Sequence, residues 1–152
     1  MRRYDDAIDQ LHETLELDPK FGPAHEWLGY VYEKKGMKGE AIAEWVTALR
    51  SRGLNDQAAT VELTFARSGF EAAAKRLAEQ QLSELNASLK RGQYVAASEF
   101  VMAYTRLGKK EEAFAWLEKA VQERNRFALE FKIDPTLDSL RADPRFAKLA
   151  NL

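Results

Sequence analysis

The sequence predicts an all-α protein of antiparallel helix pairs, on three observations. Apolar residues recur at intervals of three and four along the chain, the period of one helix face, and no window alternates at two as a half-buried strand does. Isolated glycines (Gly36, Gly53, Gly69, Gly92 and Gly108) punctuate the periodic segments, which leaves connections short enough to favour antiparallel neighbours. A word is also repeated: "AIDQL" begins at Ala7 and "AIAEW" begins at Ala41, 34 residues on.

The first helix carries Tyr4, Ala7, Ile8, Leu11 and Leu15 on one face and stops before "DPKFG". The second is "GPAHEWLGYVYEKKG", ended by Gly36, and the third is "GEAIAEWVTALRSRG", ended by Gly53. The fourth runs from about Asp56 to Arg67, before Gly69. A long fifth, "FEAAAKRLAEQQLSELNASLKRG", stops at Gly92. The sixth is "YVAASEFVMAYTRLG", starting at Tyr94, and the seventh is "KKEEAFAWLEKAVQERN". The tail, "FKIDPTLDSLRADPRFAKLANL", holds two Asp-Pro steps. Aspartate is a good N-cap and proline suits the first helical position, so each step starts a short helix. Leu137 and Leu140 share one face, and Phe146 and Leu149 another, so both helices can fold over the exposed side of the seventh.

A period of 34 residues is that of the tetratricopeptide repeat, and the residues inside it resemble that family. In "HEWLGYVYEKKGMKGEAIAEWVTA", Leu28-Gly29 followed by Tyr32 is similar to the family's L-G-x-x-Y. Ala41, Trp45 and Ala48 are similar to its second-helix pattern, and His25 stands where the family has Trp. That unit covers residues 22–53. The first unit, about 4–20, shows a second helix alone, with Ala7, Leu11 and Pro19. The third, 55–91, is degenerate, with Val61-Glu62 in place of Leu-Gly. The last, 94–125, has Tyr104, Gly108, Ala113, Leu117 and Ala120. The resemblance implies one domain over residues 1–152: a right-handed solenoid of antiparallel helix pairs, capped by 126–152.

"AFAWLEKAVQER" followed by "DPTLDSLRADPRF" further resembles the end of tetratricopeptide arrays in bacterial regulatory proteins, including winged-helix regulators and serine/threonine kinases. The resemblance implies the C-terminal module of such a protein, holding a protein or peptide in a concave groove. The alternative is a sensory domain that binds a small molecule or signalling peptide to control an attached transcription-factor or kinase domain. An array that opens in mid-repeat is expected to be cut from a longer protein, or to cover its first helix by docking, self-association included.

Composition narrows the function. With 23 basic and 24 acidic residues the net charge is −1, which gives no general pull toward nucleic acid. The absence of cysteine excludes disulfides, thiolate nucleophiles and cysteine metal sites. "MRRYDDAIDQLHETL" lacks the apolar segment of a signal peptide, and no apolar stretch reaches membrane-spanning length, so no membrane role and a cytoplasmic location are expected. His12 and His25 each precede a glutamate, but no third ligand stands at metal spacing. Acidic pairs such as Asp5-Asp6 and Glu111-Glu112 lie at helix starts, where the dipole favours them. The chain is therefore expected to be no enzyme and to hold no metal or cofactor.

Lys34, Arg67 and Arg106 each stand two residues before a glycine. The resemblance places this end of each first helix near the groove, where cations can grip an acidic ligand or chain terminus. The same cations can offset the helix dipole. One turn earlier stand Tyr30, Leu63 and Met102, which would give the groove an apolar centre, or in the case of Leu63 pack between repeats. These six are the expected partner-binding residues. The family's clamp for chaperone tails needs Lys and Asn at two groove places that here hold Glu26 and Tyr30, so that clamp is not expected. Trp27, Trp45 and Trp116 are expected to be packing residues.

Overall fold

A computed structural model of the chain describes residues 4–123 and 131–151. Its elements are α1 (Tyr4–Leu17), α2 (Gly22–Lys34), α3 (Lys38–Ser51), a broken α4 (Asn55–Lys90), α5 (Ala97–Arg106), α6 (Lys110–Gln122), a 3₁₀ helix η1 (Pro135–Leu140) and α7 (Pro144–Ala150). There is no strand among the described residues. The chain divides into two compact units, Met1–Arg76 and Leu77–Leu152. The expected end of the seventh helix and the opening of the tail, residues 124–130, lie outside the described residues.

The first unit is organised by α2 and α3. Gly29 of α2 faces Trp45 of α3 so closely that a Cβ there would lie 2.2 Å from Trp45 Nε1. The indole is thus seated on the α2 backbone, and its Nε1–H donates to the Glu26 carbonyl at 3.2 Å. Arg52, near the end of α3, pairs with Glu26 near the start of α2 at 3.5 Å, so the helices run antiparallel. Leu28, Ala41, Ile42 and Val46 are buried in the same unit, with Ala58 and Val61 from α4. No described residue of α1 is fully buried. Polar contacts join it to α2: His12 Nε2 lies 3.1 Å from the Tyr32 hydroxyl, and Lys35 bonds Asp5. Gly69 breaks α4 with φ 80° and ψ −174°, a conformation that residues with a Cβ avoid. The break falls where the sequence separates the fourth and fifth helices.

In the second unit Phe100 of α5 stacks on Trp116 of α6, centroids 4.0 Å apart and planes at 8°, and is buried with Leu82, Leu85 and Ala103. Another cluster joins Val101, Phe114 and Leu117 to Phe131 and the four tail residues Leu137, Leu140, Phe146 and Leu149. Thus η1 packs on α5 and α7 packs on α6. Both Asp-Pro steps act as expected: Thr136 N–H donates to Asp134 at 2.8 Å, and Arg145 N–H to Asp143 at 3.0 Å. The sixth helix starts later than expected. Ala96 is extended (φ −64°, ψ 132°), Ala97 and Phe100 are the buried residues that hold the first turn, and Tyr94 lies outside the helix, 80% exposed.

Arg145 latches the tail. Its guanidinium makes two bonds to Glu111 of α6, at 2.8 and 2.9 Å, and lies over the Phe114 ring at 4.1 Å. The side-chain bonds from Arg145 to Asp143, and then its backbone N–H, hold the Asp143 carboxyl down at about 2 from the usual 3.8. The same guanidinium lowers Glu111.

Two outcomes follow for stability. Gly29→Ala should cost about 1–3 kcal/mol in urea denaturation by pushing Trp45 out of its seat, whereas Gly39→Ala, with nothing within 4 Å of the new Cβ, should be neutral or slightly stabilising. A carboxylate whose pKa is depressed by folding stabilises above its unfolded pKa, and that contribution is lost as pH falls through the folded one. Protection factors of the α7 amides, taken relative to intrinsic exchange at each pH, should therefore fall as pH drops from 3.8 toward about 2, and Asp143→Asn should flatten that step.

Candidate partner-binding site

The six expected residues form three pairs, each pair on one helix at a spacing of four and so on one face. On α2, Tyr30 is half-buried, edge-on to Trp45 at 5.5 Å, and Lys34 follows one turn on, also half-buried. On α4, Leu63 is 50% exposed and Arg67 is exposed, just before the break at Gly69. Leu63 is therefore not core. On α5, in the second unit, Met102 and Arg106 are half-buried. Lys34 and Arg106 occupy the last turns of their helices, and Arg67 the last turn before the break. There a cation faces the negative helix end and can also meet an anion from outside.

Trp27 corrects the sequence reading. It is 53% exposed and does not fill the helix pair. Trp45, drawn in by Gly29, already occupies the space between α2 and α3. Trp27 instead sets its ring edge-on to Tyr30, 5.9 Å between centroids at 63°. The signal was present in the spacing: Trp27 is in register with Tyr30 and Lys34, not with the buried Leu28. Trp116 is packed as expected, stacked on Phe100 and covered by Lys119 Nζ at 4.5 Å.

The histidines are structural joints. His25 is buried at 9% exposure. Its Nδ1 lies 2.6 Å from Glu44 Oε2 and its Nε2 3.1 Å from the Pro19 carbonyl, so it ties α3 to the α1–α2 connection. Beside it, burial first and then Glu44 push the Tyr32 phenol up, and its hydroxyl meets His12. Among the described residues no group of three or more His, Asp or Glu could hold a metal ion.

The α5–α6 pair supplies the comparison with known proteins. Residues 99–126 match the tetratricopeptide repeat. Within the matched residues the expected small and large side chains do the packing: Ala113, Leu117 and Ala120 are buried, and Tyr104 is half-buried against the cluster that holds Ala113 and Leu117. No curated protein and no solved structure matches the chain. A tetratricopeptide repeat suggests a protein–protein interaction scaffold, and such repeats are typically non-catalytic. No helix among the described residues is long and apolar enough to cross a membrane.

Replacing His25 by Phe should leave the Glu44 carboxylate and the Pro19 carbonyl without this ring partner. The expected loss is about 1–3 kcal/mol in thermal or urea unfolding.

Proposed function

We propose that the chain is a binding module for a protein or peptide partner, and the C-terminal part of a larger bacterial regulatory protein that works in the cytoplasm. The observation that carries the reading is the pair that recurs on three helices, α2, α4 and α5. Tyr30 with Lys34, Leu63 with Arg67, and Met102 with Arg106 each set an apolar side chain one turn before a cation, and each pair keeps some exposed surface. The apolar member excludes water from a bound segment, and the cation selects an acidic neighbour. Residues 99–126 support an interaction role through their tetratricopeptide match. The tail supports the regulatory-protein reading by its sequence alone. Nucleic acid and membrane have no part in the proposal, and self-association would use the half-covered α1.

The test is affinity capture from the source cell with quantitative mass spectrometry. The baits are the wild type, Tyr30→Ala/Met102→Ala and Arg67→Glu/Arg106→Glu, each first shown to melt as the wild type does. The same partners should drop roughly tenfold or more with both variants, the scale of losing hot-spot residues. Equal recovery by all three baits would remove these residues from the site.

A further inference from the structure

Resting on that reading, we infer that Trp27 and Lys34 form a two-point site on α2 for an extended peptide. That peptide carries an apolar side chain and, about three residues from it, an Asp or Glu. Two faces of α2 are already engaged within its unit. One meets α1 and its connection through His25 and Tyr32. Another meets α3, where Trp45 sits on Gly29 and Arg52 pairs with Glu26. Trp27, Tyr30 and Lys34 lie at i, i+3 and i+7, so they share one stripe, with Tyr30 on its edge toward Trp45 of α3 and Trp27 and Lys34 on the side left over.

Trp27 has the properties of an anchor. Half its surface is open, yet the ring is not loose: it leans on Tyr30, which leans on Trp45, which is bonded to the α2 backbone. Little ordering is left to be done on binding, and a large apolar ring is left to be covered. Its indole N–H has no acceptor among the described residues and can donate to a peptide carbonyl.

Lys34 supplies the charge. Its neighbours in the unit are matched internally: Lys35 with Asp5, Lys38 with Glu71 and Arg50 with Glu62. Lys34 makes no ion pair among the described residues. It is half-buried beside an aromatic stripe, where a carboxylate from outside meets less screening than on an open surface.

The register follows from helix and strand geometry. Seven residues along α2 rise about 10.5 Å, which an extended chain spans in about three residues. A helical partner would need apolar anchors at i, i+3, i+4 and i+7. This stripe offers one exposed ring and one half-buried one, which suits a single apolar side chain followed by a charge.

The experiment is selection of a random peptide library displayed on phage against the full chain, in parallel with Trp27→Ala, Trp27→Tyr, Lys34→Ala and Lys34→Glu. Enriched peptides should share an apolar residue and an acidic one about three positions apart. Against Lys34→Glu the acid at that position should give way to Lys or Arg. Binding of the selected peptides should weaken roughly tenfold or more in Trp27→Ala and less in Trp27→Tyr. Peptides enriched without that register, with an acid seven positions away, or unchanged by Lys34→Glu would overturn this site while leaving the broader binding reading in place. No enrichment against the wild type would overturn both.

Discussion

The first unit depends on the missing side chain of Gly29. A helix pair with any larger residue at that place would hold Trp45 away from the α2 backbone. With glycine there, the indole reaches the Glu26 carbonyl and has a fixed orientation. That orientation is passed on through ring contacts to Tyr30 on one side and Phe70 on the other. Edge-to-face and tilted ring pairs add about 0.5–1.5 kcal/mol each beyond area burial, so the stack is stiff as well as apolar. Trp27 is the outer end of the stack, and its exposure is a consequence of how well the inner end is filled.

In the second unit, large residues meet with no glycine between them. Phe100 on Trp116 joins α5 to α6, and the tail then supplies the apolar cover that the pair lacks on its other side. The Asp-Pro steps aim each short helix, and Arg145 holds the second of them to α6 through Glu111. The tail is thus bound by two kinds of force. Burial of Phe146 and Leu149 is insensitive to pH, while the Arg145 cluster requires its carboxylates ionised.

Function, on the reading proposed, uses what the packing leaves over. The most deeply buried residues hold the helices together, so recognition falls to side chains that packing leaves partly exposed. Cations near helix ends suit this task because the negative helix end helps to hold their charge while leaving the head group outward.

Helix positions, the break at Gly69 and the two tail starts were legible in the sequence, because apolar period, glycine at positive φ and aspartate before proline are local properties. The buried faces of the tail were legible for the same reason. The sequence also put Tyr30 with Lys34 and Leu63 with Arg67 on common faces, since a spacing of four decides that alone. What it did not decide was which large residue each space admits. Trp27 and Trp45 look alike as apolar aromatics, and only the close approach of Gly29 to Trp45 settles which one goes in and which stays out. Nor did spacing show that His25 would bridge Pro19 and Glu44, or that Arg145 would reach Glu111, 34 residues away. These are meetings between elements, and they exist only once the helices have packed.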